Sequence, residues 1–133
     1  MDLASRDAIR LLEAIAAANS RLMELAALVR PHPNVVNVQR SLQCWQYQPR
    51  PVLEGWVDAT LASGKGIAWV ITVTWDDEVW TISPKVVMNV DNGQDTLVEL
   101  KEQTADNFSS MIEGLTYAMS ELISSFGAVD LGG

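Results

Sequence analysis

The chain has 133 residues, of which 48% are hydrophobic, and a formal net charge of −8 at neutral pH. This length and composition predict one globular domain over residues 1–133, and the single cysteine excludes an intrachain disulfide and a cysteine-rich metal framework. Residues 1–65 carry seven basic and six acidic side chains, whereas residues 66–133 carry two lysines and eleven acids. This acidic half disfavours nucleic acids and anionic membranes as partners, and it favours a protein with a basic surface.

A long helix is predicted for about residues 5–30, because apolar residues recur there at spacings of three and four and two prolines follow. A second apolar strip on the same helix makes the predicted buried arc wider than one packing seam needs. This strip, together with a weakly charged second face of the predicted sheet, predicts a homodimer with a two-fold contact. The members of the strip are Ile9, Leu12, Ala16 and Met23.

Strands are predicted within about residues 42–100, where the hydrophobic period changes to two and all five tryptophans fall. The clearest strand covers residues 67–75, which place Trp69 and Trp75 on one face. Short turns are expected at residues 63–66, 76–78 and 91–94, and they predict hairpins that join four to five antiparallel strands. A weaker strand candidate covers residues 44–48.

A second helix is predicted for about residues 105–126, with Thr104 or Asp106 as its cap and Gly127 as its terminator. The predicted fold class is therefore α+β. An antiparallel β-meander of four to five strands is flanked by a long N-terminal helix and a C-terminal helix in two layers, and the helices cover the face that carries Trp69 and Trp75.

Catalytic and metal-binding signals are weak in this sequence. His32 lies between two prolines with no partner to orient it, and Cys44 lacks the surroundings of a reactive thiol. The segment from Asp91 to Glu102 resembles a calcium-binding loop but has glycine at a ligand position and threonine where glycine is needed. We expect no cofactor, no metal and no enzymatic activity, and no motif is specific enough to indicate a family.

A candidate partner-binding surface follows from residue alternation. Trp56 alternates with Glu54 and Asp58, which places an aromatic side chain on a polar sheet face. Trp45 and Tyr47 share one parity, and they would extend this surface if they point outward, a choice that the pattern leaves open. The acidic turn adds three carboxylates to the candidate surface: Asp76, Asp77 and Glu78.

The sequence favours a noncatalytic, acidic protein-binding module, such as an immunity protein or a secretion chaperone that masks a basic partner. No secretory signal or run of about 20 apolar residues is evident, so a cytoplasmic location without membrane insertion is expected. One alternative is a carboxylate-based enzyme. Another is a carrier of small apolar ligands, whose pocket would be lined by Trp69, Trp75, Trp80, Met111 and Met119.

Overall fold

The computed structural model describes residues 5–44, 53–90 and 92–132, and two α-helices flank its strands. Helix α1 spans Ser5–Val29, and helix α2 spans Phe108–Ser124 and continues as a short 3-10 helix at Ser125–Ala128. Within the described residues the six strands are β1 (Val35–Cys44), β2 (Leu53–Leu61), β3 (Gly66–Asp76), β4 (Val79–Val90), β5 (Gly93–Val98) and β6 (Gln103–Ala105).

The sheet is an antiparallel meander with the strand order β1, β2, β3, β4, β5, and β6 pairs with the first part of β4 beyond the end of β5. The predicted α+β class, the meander and the two flanking helices are confirmed. Pro84 lies on β4 between the residues that pair with β6 and those that pair with β5. Proline has no N–H to donate to a neighbouring strand, and at this position neither β5 nor β6 pairs with β4.

Strand β1 begins at residue 35, seven residues before the predicted strand region, so that predicted boundary is wrong. A bulge between Val35 and Asn37 interrupts the register with β2. Arg40 then occupies a position opposite the buried Val57, where a core residue is expected. Its Nη1 donates to Asn19 Oδ1 of α1 at 2.9 Å. The bulge, and a charged residue on the helix-covered face, together hide the period of two.

Both helices pack on one face of the sheet, as predicted. Helix α1 contacts β1 and β2, helix α2 contacts β3, β4 and β6, and the two helices contact each other along their length. Two arginines of α1 bridge to α2: Arg10 donates to Ser109 Oγ at 3.0 Å, and Arg21 donates to Ser120 Oγ at 3.1 Å. The structure thus has one helical layer and one sheet layer.

Helix α2 is shorter than predicted, because residues 103–105 pair with β4 as a strand. Its N-cap is Asn107, whose side chain accepts a hydrogen bond from the Ser110 N–H at 2.8 Å, so neither Thr104 nor Asp106 is the cap. Its regular turns end at Ser124, and Gly127 lies in the 3-10 helix that follows. In the described residues, neither helix is long and apolar enough to cross a lipid bilayer.

The close approach of α1 to the sheet depends on Gly55 in β2. A Cβ atom at this position would lie 2.8 Å from Leu42 Cδ1, 2.9 Å from Leu22 Cδ1 and 3.3 Å from Ile71 Cγ2. Leu22 is fully buried, so its side chain occupies the space that a larger residue at position 55 would need. The glycine therefore sets how closely α1 lies above β2.

We expect Gly55→Ala to lower the free energy of unfolding by about 1 to 3 kcal/mol, because the added methyl group overlaps two packed leucines. Urea denaturation followed by tryptophan fluorescence measures the change. Gly127→Ala is the matched control, because a Cβ atom at Gly127 meets no atom within 4 Å. Equal stability of the Gly55→Ala variant and the unmodified protein would contradict this account of the helix position.

Candidate functional site

One face of the sheet carries neither helix, and it is called the open face below. Its side chains alternate along β2, β3 and β4 with those of the helix-covered face, so cross-strand pairing identifies them, and two of them, Ala68 and Val87, are buried. Among the described residues, no helix packs against this face. The central members of the open face are Gln39, Ser41, Glu54, Trp56, Asp58, Ala68, Val70, Thr72, Ser83, Lys85 and Val87.

Trp56 lies near the middle of the open face and is half-buried. Its cross-strand neighbours are Ser41 on β1 and Val70 on β3, while Glu54 and Asp58 flank it along β2. The structure therefore brings the predicted contact residues Trp56, Glu54 and Asp58 together on one surface. Their role in binding a partner stays a prediction.

The electrostatics of the open face are dominated by acids. Partial burial raises the pKa of Asp58 above its ordinary value, because the charged carboxylate loses part of its hydration in the folded protein. Glu102 joins this face from the segment after β5, where its Oε2 accepts a hydrogen bond from Ser83 Oγ at 2.8 Å. The sequence does not place Glu102 on this face, because nothing in its local pattern links it to β4.

The acidic turn is the β3 to β4 connection, a two-residue hairpin turn between the paired residues Asp76 and Val79. Asp77 has φ 50° and Glu78 has φ 62°, the left-handed conformation of a type I′ turn that asparagine and glycine usually adopt. Asp76 lies six residues along β3 from Val70, which corresponds to about 20 Å of strand. The structure therefore places the three turn carboxylates at the end of the sheet and apart from Trp56.

Two predicted contact residues, Trp45 and Tyr47, lie outside the described residues, as do Asp91 of the calcium-like loop and most of the weak strand candidate at 44–48. Of that candidate, Cys44 forms the last residue of β1. Whether the two aromatic residues extend the open face stays a prediction.

The five residues of the ligand-carrier alternative belong to the helix-covered side of the sheet. Trp69, Trp80, Met111 and Met119 are buried in the core. Trp75 is half-buried and packs on Trp80, with 4.6 Å between ring centroids. Met119 also lines a groove of about 260 Å³ between α1 and α2, whose other lining residues include Ala14, Ala18 and Leu115.

The two residues considered for catalysis are His32, in the turn before β1, and Cys44, at the end of β1. His32 Nδ1 accepts a hydrogen bond from the Asn34 N–H at 3.1 Å, which supports the turn between α1 and β1. Cys44 is exposed at the end of β1, and desolvation raises the pKa of its thiol, which disfavours the nucleophilic thiolate. Across residues 5–44, 53–90 and 92–132, no three His, Cys, Asp or Glu side chains are grouped to hold a metal ion.

Comparisons of this chain with family models, with curated proteins and with solved structures gave no match. The open face is distinguished by its geometry alone: it has a half-buried tryptophan with two carboxylates beside it on the same strand, and neither α1 nor α2 lies above it.

We expect the double substitution Asp77→Asn with Glu78→Gly to raise the free energy of unfolding by about 1 kcal/mol. Asparagine and glycine adopt the left-handed backbone conformation at lower cost than aspartate and glutamate do. Thermal denaturation measures the gain. The same exchanges at exposed positions of α1, Glu13→Gly for example, should destabilise the protein; an unchanged or lower stability of the turn variant would contradict the assigned turn.

The raised pKa of Asp58 predicts a defined pH dependence of stability. A carboxyl group whose pKa rises on folding favours the folded state while protonated, and this contribution is lost as the pH rises from the ordinary value of 3.8 through the folded-state pKa. The stability gain from Asp58→Asn should therefore grow as the pH rises through this window and then become constant. Urea titrations between pH 3 and 7 measure it, with Asp76→Asn as the control for charge loss; a pH-independent difference would contradict the prediction.

Proposed function

We propose that this chain is a noncatalytic, acidic protein-binding module that uses the open face to cover a basic and partly apolar surface of another protein. The observation that carries the proposal is the position of Trp56, which is half-buried at the middle of the sheet face that neither α1 nor α2 covers. Glu54 and Asp58 flank it on the same strand. This arrangement combines an aromatic anchor with charges that select a cationic partner.

The shape of the open face suits contact with a folded surface. Around Trp56 the neighbouring residues are small or β-branched, namely Ala68, Val70 and Thr72, so the indole is the largest side chain of the central strands on this side. Tryptophan is enriched among the residues that contribute most to binding free energy, particularly at the centre of an interface. A partner that covers Trp56 would also exclude water from Glu54 and Asp58.

The charge distribution supports a basic partner. In the described residues the two ion pairs, Asp7 with Arg10 and Arg21 with Glu24, both lie on α1, and none involves an acid of the open face. The carboxylates of Glu54 and Asp58 thus have no ion-pair partner among the described residues. The net charge of −8 adds long-range attraction for a cationic protein.

Immunity proteins and secretion chaperones are two classes that act in this way, by covering a basic toxin or a basic export substrate until it is released. Both classes work by contact and need no catalytic group. Under this proposal the chain acts in the cytoplasm, where its partner would be made and kept inactive.

We expect Trp56→Ala to weaken the complex with the cognate partner by about 2 kcal/mol or roughly 30-fold in dissociation constant, because truncation removes the central aromatic contact. Affinity capture from the native host with quantitative mass spectrometry identifies the partner, and titration calorimetry on the purified pair measures the effect. Tyr117→Ala is the matched control, since Tyr117 is an exposed aromatic residue on α2, in the opposite layer.

Charge variants separate attraction from packing in the same experiment. Glu54→Gln with Asp58→Asn should slow association and reduce its dependence on salt concentration, because these acids steer the encounter. The Asp77→Asn, Glu78→Gly variant removes two charges while retaining the turn, so it reports the contribution of the distant acids alone. Equal affinities for Trp56→Ala and the unmodified protein, or a larger effect from Tyr117→Ala, would contradict the proposal.

A further inference from the structure

The outward side of α1 carries an apolar strip that the fold leaves uncovered. Ile9 is 57% exposed, Leu12 is 67% exposed and Met23 is 49% exposed, and the exposed Ala16 lies between them. Residues 9, 16 and 23 are one heptad apart and residue 12 lies beside them, which is the spacing of a narrow helix-pairing seam. These four residues are called the α1 strip.

Helix α2, the other helix of this layer, has no comparable apolar strip. Helix α2 lies beside α1 in the same layer, and apart from Tyr117 its exposed residues are polar. They are Ser109, Ser110, Glu113, Thr116 and Ser124. The apolar strip is therefore confined to α1 and forms a linear surface of about 21 Å between residues 9 and 23.

We propose that the α1 strip binds the same strip of a second copy of this chain in an antiparallel, two-fold contact. Ala16 is the midpoint between Ile9 and Met23, so a two-fold axis at Ala16 places Ile9 of each copy against Met23 of the other. The small side chain of Ala16 allows the two helices to approach closely at the axis. The strip is thus complementary to itself in this orientation.

The charges beside the strip select the antiparallel orientation. Arg6 and Glu24 are both exposed, and on a helical projection they lie on the same side of the strip, near its opposite ends. Antiparallel pairing brings Arg6 of each copy close to Glu24 of the other, so each Glu24, which already pairs with Arg21 of its own helix at 2.8 Å, gains a second attractive contact. Parallel pairing would leave Arg6 and Glu24 at opposite ends of the contact and would form neither of these attractive contacts. The antiparallel helix dipoles favour the same orientation.

The expected strength of this contact is modest. A single helix pair of this length buries less than the roughly 800 Å² per partner of a stable complex, and two copies of net charge −8 repel each other at long range. We therefore expect a dissociation constant in the micromolar range at physiological salt, where screening limits that repulsion to about 8 Å.

Sedimentation equilibrium between about 1 and 200 µM tests the association. The unmodified protein should form a dimer in this range, and Leu12→Glu with Met23→Glu should weaken it by ~10-fold or more, because each glutamate brings a charge into the apolar seam. Leu28→Glu is the control on the same helix, off the strip, and should leave the dimer intact. A monomer at 200 µM, or a dimer that Trp56→Ala abolishes and the strip variant does not, would overturn the proposal.

Cysteine cross-linking in a Cys44→Ser background tests the orientation. Ala16→Cys should form a disulfide-linked dimer, and Ile9→Cys should cross-link to Met23→Cys when the two variants are mixed. Ile9→Cys alone should not cross-link, because antiparallel pairing separates the two copies of residue 9 by about 21 Å. Cross-linking of Ile9→Cys with itself, or none of Ala16→Cys, would overturn the antiparallel contact.

Discussion

Close packing of two helices on a single face of the sheet is the constraint on which the rest of this structure depends. Leu22 of α1 fills the space above Gly55, and Ile82 of β4 fills the space below Gly114 of α2, where a Cβ atom would lie 3.0 Å from Ile82 Cδ1. A side chain at either glycine would lift a helix from the sheet and open gaps along a core that includes Trp69, Met111 and Leu122. Each helix is thus held where the sheet provides room for it.

The two faces of the sheet differ in their side chains because both helices pack against the same face. The covered face is rich in large apolar residues such as Trp69, Ile71 and Ile82, all fully buried. The open face consists mainly of polar, small and β-branched residues, most of them partly exposed although Ala68 and Val87 are buried. Trp56 is the exception to this composition, since it is a large aromatic side chain and is only half-buried there.

Alternation and helical periodicity were sufficient to predict the elements whose own residues define them. The strand at residues 67–75 and both helices follow from local patterns, and the open-face position of Trp56 follows from its parity on β2. The elements that sequence reasoning missed depend on other parts of the chain. Strand β6 has three residues and exists through its pairing with β4, and the start of β1 is obscured by a bulge and by the contact of Arg40 with Asn19.

The candidate site shows the same division between local and distant information. Its centre could be predicted from one strand, but its neighbours could not, because the register that sets Ser41 and Val70 beside Trp56 is a property of three strands. Glu102 joins the face only through its hydrogen bond to Ser83. Charge alone groups the acids of the turn with Trp56 in the sequence, whereas in the structure the length of β3 separates them from it.

The two proposed contact surfaces lie on opposite layers of the molecule, and the side chains that each surface presents select a different partner. The open face offers carboxylates around one indole, which a cationic protein complements and a second acidic copy does not. The α1 strip is apolar with one positive and one negative end, which its own antiparallel copy complements. Pairing through α1 would put the helical layers back to back and leave both open faces pointing outward, so self-association and partner binding would not compete for the same surface.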